Sequence, residues 1–319
     1  METNANKTNK WKQLTKITAL PLVVLGIAFV QIESRNLAQA EEAHITFQSP
    51  ADAGAALVQA AKNGDDAALG QILGVKTKVL LNTGDKETDQ AALESFAAKY
   101  DKVNRWVDMM DGSRVLYIGA DNFAFPVPLA KNSSGKWYFD AVAGAEETRA
   151  RDIGRNELLT IDACSALTDA QNAYFAIGGD SAEYARKIIS TAGKEDGLYW
   201  PASGKETLSP LANLSQFPRS SVAKLSADEL FVLDGYKFRV LTAQGNDASG
   251  GARNYIMNGK MTAGFAILAT PVQYAETGIM TFITGPDGAV YEQDLGPDTA
   301  KIATSIQEFN PTDDWSLVE

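Results

Sequence analysis

One cysteine and one histidine are all that the 319 residues contain, and these two shortages remove much of the chemistry by which proteins catalyse or bind metals. With Cys164 alone, no intramolecular disulfide can form. Its apolar, mid-helix setting reads as a small core residue rather than a nucleophile. His44 lies close to the N-terminus, so Ser-His-Asp and Cys-His mechanisms and His-rich metal sites lack a component in the folded part. No catalytic residue, metal site or cofactor is expected. Positive charge is scarce too: 29 Lys and Arg stand against 40 Asp and Glu. Without residues 1–40, which hold five basic and two acidic residues, 24 and 38 remain, a net charge of −14. Nucleic acid and anionic membrane surfaces are therefore excluded as main partners. Beyond residue 30 no stretch is apolar enough to span a bilayer.

What is present begins with an export signal. Residues 1–16 carry Lys7, Lys10, Lys12 and Lys16 against Glu2, residues 17–30 are apolar, and Ala38-Gln39-Ala40 precedes Glu41. A basic segment, an apolar segment and an A-x-A pattern in that order describe a secretory signal peptide. The 14 apolar residues fall short of the roughly 20 that a membrane helix needs. An uncleaved anchor is the alternative, because residues 31–36 separate the apolar run from the cleavage pattern. The expected location is periplasmic or secreted, with no stable membrane span after cleavage.

The remaining 279 residues suit one large or two ordinary domains, and the helical pattern of residues 144–176 divides them. Leu159, Ala163, Ala166, Ala170 and Ala173 recur at steps of four and three, so they share a helix face. Alanines there let a sheet backbone come close. The first part, residues 45–143, reads as helices at 51–61, after Gly64-Asp65-Asp66, and at 88–100, followed by strands at 105–110, 114–118, 123–129 and 136–141. Asp111-Gly112 and Asn132-Ser133-Ser134-Gly135 supply turns, and Pro126 and Pro128 demote the third strand to an edge or bulge. The second part, residues 144–319, continues with a short helix at 181–191 and a Pro-, Gly- and Ser-rich loop to residue 221. Strands follow at 236–242, 254–258, 264–270, 278–284 and 289–293, and a closing helix at 298–309 has Ile302 and Ile306 inward. Gly285-Pro286-Asp287-Gly288 is the clearest hairpin turn. The expected class is α+β: N-terminal helices with a curved, cone-like antiparallel sheet, a long connecting helix, and a C-terminal antiparallel β domain.

Three helices followed by an antiparallel sheet ending in Trp137-Tyr138-Phe139-Asp140 resemble the nuclear-transport-factor-2-like superfamily. That resemblance implies a cone-like fold whose members enclose a pocket, some catalytic and many purely binding. The Ala-rich helix with Ala170-Gln171-Asn172-Ala173-Tyr174-Phe175 before a glycine-punctuated sheet resembles pilin-like globular domains, without their leader motif. Across the whole mature chain, WYFDAVAGAEETRARDIGRNEL, YFAIGGDSAEYARKIISTAGKEDGLYWP, GYKFRVLTAQG and GFAILATPVQYAETGIMTFITGPDGAVYEQDLG resemble an uncharacterised family of exported bacterial proteins. That family is a domain of unknown function, so it implies no activity, substrate or site.

Chemical motifs are sparse. Ser221-Val222-Ala223-Lys224 has S-x-x-K spacing but no K-T-G or S-D-N partner. Residues 245–252 are glycine-rich without the Gly-Lys-Ser/Thr ending of a phosphate loop, and read as a flexible hairpin loop. Residues 179–183 have too few carboxylates for a calcium loop. Glu195, Asp196, Tyr199 and Trp200 form the best candidate ligand-binding group, suited to a carbohydrate or peptide, and Arg151 and Arg155 could clamp an anion. The blander readings are a loop whose aromatics pack inward and internal ion pairs with Glu146, Glu147 and Asp152. With so thin a catalytic inventory, the leading expectation is a non-catalytic binding or interaction protein, its partner an unknown protein or small molecule. A hydrolase using carboxylates alone is the alternative, since glycosidase-like chemistry needs no histidine. A structural component of a secretion or surface assembly is the third. The mature protein is expected to begin at Glu41 and to be released by osmotic shock. N-terminal sequencing of the released fraction checks this, and an intact N-terminus in the membrane pellet contradicts it.

Overall fold

The structure is a computed structural model that describes residues 45–74, 85–201, 208–213 and 231–318. The expected signal segment, His44 and the Ser221–Lys224 motif lie outside these residues. Two compact units divide between Thr148 and Arg149.

Local capping chemistry sets the helices of the first unit. In α1 (Pro50–Asn63) the Ser49 hydroxyl accepts from Asp52 N–H at 3.2 Å and Pro50 occupies the first turn. Gly64, at φ 60°, ends it by donating to the carbonyls of Ala60 and Ala61. The Asp65 carboxylate caps α2 (Asp66–Leu73) through Ala68 N–H at 2.9 Å, and Asp85 does the same for α3 (Lys86–Lys102) through Glu87 N–H at 3.1 Å. An antiparallel sheet follows, built from β1 (Asn104–Asp108), β2 (Arg114–Ile118), β3 (Phe123–Ala124), β4 (Leu129–Lys131) and β5 (Trp137–Phe139). Its order is β1-β2-β4-β5, with β3 also on β2. The expected strand 123–129 is thus two short ones, because Pro126 and Pro128 cannot donate to a ladder. Leu57 and Leu73 from the helices meet Leu116, Ile118, Leu129 and Phe139 from the sheet in one buried core.

Helix α4 (Ala141–Ile177) begins three residues earlier than its glycine suggested, because the Asp140 carboxylate accepts from Val142 and Ala143 N–H, each at 3.0 Å. Its later part belongs to the second unit, which is built on an antiparallel sheet of six strands. In spatial order these are β15 (Ser316–Leu317), β14 (Val290–Asp294), β13 (Met280–Thr284), β12 (Ala266–Pro271), β7 (Tyr236–Leu241) and β6 (Phe231–Leu233). Two small hairpins accompany it: β8 (Ala243–Gln244) with β9 (Arg253–Asn254), and β10 (Ile256–Met257) with β11 (Lys260–Met261).

Strand alternation places two helices on opposite faces of the six-stranded sheet. Tyr236 lies beside Glu157 of α4. On the other face Arg239 reaches α5 (Thr299–Ser305), where its guanidinium donates to the carbonyls of Ala303, at 2.9 Å, and Ile306. A cation at a helix C-terminus satisfies orphan carbonyls and opposes the helix dipole. Strand β12 between the two layers has Ala266, Ile267, Leu268 and Ala269 all buried. Along the sheet, Glu157 meets Ile279 and Met280 at the start of β13, and Thr168 comes beside Gly288 just past its end. The helix therefore runs with β13 in the same direction.

Several expectations are corrected. Of the proposed inner face of α4, Ala163, Ala166 and Ala170 are buried while Leu159 and Ala173 are exposed. Ile153, Thr160, Cys164, Leu167, Thr168 and Gln171 are buried as well. Residues 181–191 form no α-helix beyond a single 3-10 turn at Gly179–Ser181, because tertiary partners claim their backbone. Tyr184 N–H donates to Met261 O at 2.8 Å, and the buried Gln171 amide bonds both N–H and C=O of Ala185, at 2.9 and 2.8 Å. Ile189 then pairs in parallel with Tyr199. The closing helix stops at Ser305, with Thr299 and Ala303 inward and Ile302 exposed. The glycine-rich loop 245–252 is tied down: the Gln244 amide donates to Ser249 O and Gly251 O at 2.9 and 2.7 Å, and Asp247 N–H donates to Asn310 at 2.8 Å. Strands β6, β8, β11 and β15 have no counterpart in the sequence reading. The expected Gly285–Gly288 turn does join β13 to β14, with Gly288 N–H bonding Gly285 O at 3.1 Å.

Ala166→Leu is expected to destabilise by about 1–3 kcal/mol, since the added methylenes have no room on the closed face. Ala173→Leu, on the exposed side, is expected to leave stability nearly unchanged. Thermal melts of both variants check this, and equal melting temperatures would contradict the placement of the helix.

Candidate functional site

The loop around Glu195, Asp196, Tyr199 and Trp200 is spent on its own architecture. The Asp196 carboxylate accepts from Thr191 N–H at 2.7 Å and Thr191 Oγ1 at 2.8 Å, with Lys187 Nζ at 3.3 Å. Burial opposes its charge, yet these donors outweigh burial and hold the carboxyl below its ordinary value. Tyr199 packs against the core of the second unit, and Trp200 is buried edge-on to Tyr174, 6.4 Å between ring centres. Tyr174 Oη donates to the Glu195 carbonyl at 2.9 Å, while the Glu195 side chain is exposed. Trp200 thus fills the core rather than offering a stacking surface. Arg155 pairs with Asp152 at 2.7 Å one turn away, and Arg149 with Glu276 at 3.3 Å. Arg151 is half-buried on the same helix. Nineteen residues of α4 separate Arg155 from Tyr174, about 28 Å at the helical rise, so the structure does not bring the two candidate groups together.

A different group of ionisable side chains converges where α4 crosses the start of β13. Asn156 Nδ2 donates to Thr277 O at 3.0 Å, and Glu157 Oε1 accepts from Ile279 and Met280 N–H at 2.8 and 3.0 Å. Tyr236 Oη donates to Met280 O at 2.9 Å and lies 3.5 Å from Glu157 Oε1. Burial, then the Glu157 carboxylate, pushes the Tyr236 phenol far above its ordinary value, so it stays protonated. Gly278 is required here, because a Cβ would fall 2.0 Å from Tyr236 Oη. In the same loop Ala275 is held at φ 60°, a left-handed conformation that costs a non-glycine residue about 1 kcal/mol.

Glu292 joins this group from β14. It sits opposite Phe282, and strand alternation turns it to the face that α4 covers. Burial, then the neighbouring Glu157 carboxylate, raises its carboxyl above the ordinary value. Tyr274 Oη bonds Asp294 Oδ2 at 3.3 Å nearby. One carboxyl held by two backbone N–H groups beside a second that burial and its neighbour raise gives two carboxyls in different settings, as an acid–base pair requires. Among the described residues no three His, Cys, Asp or Glu side chains are arranged to hold a metal ion. Cys164, buried further along α4, has its thiol pushed up to about 12 by burial and carries no thiolate reactivity at neutral pH.

None of Glu157, Tyr236 and Glu292 is singled out by sequence motifs. The available signal is the position of Glu157 on α4, four residues after Ile153 and three before Thr160, in line with the buried stripe. A carboxylate in such a line must find donors or give up its charge.

Because its folded-state carboxyl is raised, Glu292 contributes most to stability below its unfolded value and loses that contribution as pH rises through the folded one. Glu292→Gln is therefore expected to gain in melting temperature relative to wild type on going from acid to neutral pH. Glu157→Gln is expected to lower the Glu292 titration midpoint, read by carboxyl-carbon NMR. A pH-independent stability difference and an unmoved midpoint would refute the pairing.

The family model described as "Protein of unknown function (DUF2950)" matches residues 44–318. No curated protein and no solved structure matches the chain. The likenesses to nuclear-transport-factor-2-like and pilin-like domains therefore rest on the order of elements alone. With all but the N-terminal segment and the last residue inside the match, the chain belongs to the DUF2950 family of proteins of unknown function.

Proposed function

We propose that this is an exported, non-catalytic binding or interaction protein of the periplasm or cell exterior. The three-part N-terminal signal supports export. The observation that carries the binding reading is the open edge of β1 in the first unit. Gly119 N–H donates to Val103 O and Met109 N–H to Ser113 O, each at 2.9 Å. By the alternation of an antiparallel ladder, Arg105 and Val107 then bond β2, while Asn104, Trp106 and Asp108 turn N–H and C=O to the edge. Among the described residues no strand pairs with that edge. Exposed apolar side chains stand at both of its ends, Val103 at one and Met109 and Met110 at the other. An unpaired ladder flanked by apolar residues suits addition of an extended segment from another protein.

A carboxylate-dependent hydrolase is the second reading, favoured by the raised Glu292 carboxyl beside Glu157. The two readings make different demands. Asp108→Pro removes an N–H that faces the open edge and, apart from one surface ion pair with Arg114, disturbs little. In co-purification of the tagged full chain from its own cell envelope, a protein partner is expected with wild type. It should be lost with Asp108→Pro at unchanged circular dichroism and melting temperature. Equal recovery by both proteins removes β1 as the contact, and hydrolytic turnover abolished by Glu292→Gln transfers the function to the carboxylates.

A further inference from the structure

The chain has six methionines, and their surroundings differ sharply. Met1 lies outside the described residues. Met261 is wholly buried in the core of the second unit, and Met280 packs against that core half-buried. Met109 and Met257 are partly exposed, at 43% and 52%, whereas Met110 is exposed at 107%, as open as a side chain in an extended peptide. Met110 occupies the tip of the β1–β2 hairpin, and the tip is held without it. Gly112 N–H donates to Met109 O at 3.0 Å, Met109 N–H to Ser113 O at 2.9 Å, and Ser113 N–H to Asp111 Oδ1 at 2.9 Å. Its thioether therefore supports no packing, and its chemistry can change without cost to the fold.

We propose that Met110 is a site of reversible oxidation to methionine sulfoxide by peroxides. A lone pair on the thioether sulfur attacks one peroxide oxygen. The S–O bond forms as the O–O bond breaks, and the departing oxygen leaves as water after taking the proton. Sulfur loses two electrons and peroxide gains them. Susceptibility follows access to the sulfur, which is greatest at Met110, intermediate at Met257 and Met109, and least at Met261. The product replaces an apolar group by a strong dipole beside the open edge of β1. A change in partner binding on oxidation would rest on the proposed function; the oxidation site itself does not.

The test uses the full chain and graded hydrogen peroxide, followed by peptide mass spectrometry. Fragmentation within the tryptic peptide of residues 106–114 separates Met109 from Met110. Met110 is expected to gain one oxygen several-fold faster than Met109 and Met257, with Met261 unmodified while circular dichroism is unchanged. Methionine sulfoxide reductase with a dithiol reductant should restore it, the sulfoxide oxygen leaving as water while the dithiol closes to a disulfide, and Met110→Leu should remove the fastest phase alone. Oxidation of Met257 or Met261 as fast as Met110 overturns the proposal, as does an intact Met110 at doses that oxidise the others. If the untreated protein co-purifies no partner while Met110 is still the first methionine oxidised, the binding reading falls and this site stands.

Discussion

Helix α4 can lie along the six-stranded sheet only because the side chains it turns inward are mostly small. Ala163, Cys164, Ala166 and Ala170 let the helix backbone come close to the core of the second unit, and Leu167 adds a large side chain to that core. Close packing earns dispersion and excludes water, but an alanine face slides easily, since one small side chain substitutes for the next. Polar anchors remove that freedom. Glu157 grips two backbone N–H groups at the start of β13, and 14 residues later Gln171 grips both backbone groups of Ala185. The anchors are about 21 Å apart along the axis, so a shift of one residue at either end would leave buried polar groups unpaired at both.

The opposite face of the sheet is secured by another economy of charge. Arg239 is half-buried, and burial lowers its pKa, yet its bonds go to the carbonyls ending α5 rather than to a carboxylate. In a chain with so large an excess of acid, the cation is matched to partial charges on the backbone. On the α4 face the Glu292 carboxyl is raised instead, by burial first and by Glu157 second.

Elements whose signals are local were legible in the sequence. Capping residues, turn chemistry and alanine spacing gave α1, α2, α3, α4 and the hairpin turns within a few residues, and β2 with its observed bounds. Where tertiary partners overrode local preference, the sequence reading erred. Residues 181–191 have helical spacing, but Gln171, Met261 and Tyr199 claim their backbone, and no pattern within those eleven residues announces that. Strands of two or three residues such as β6 and β15 carry too few side chains to show alternation. The candidate site was hidden for a related reason. Glu157, Tyr236 and Glu292 are far apart in the chain and meet only once the sheet is assembled, whereas the contiguous group at 195–200 resembled a site and is a structural loop.

The placement of the single cysteine has a consequence of a different kind. Cys164 sits on the buried face of α4 with no accessible surface and no second thiol to exchange with. The protein is thus indifferent to the thiol–disulfide poise around it while folded, and carries a natural reporter of its own opening. An alkylating reagent can reach that sulfur only when α4 lifts from the sheet, so the labelling rate counts those excursions. Compared with the rate for the unfolded chain, it gives the free energy by which the helix is held down, without adding a probe to the molecule.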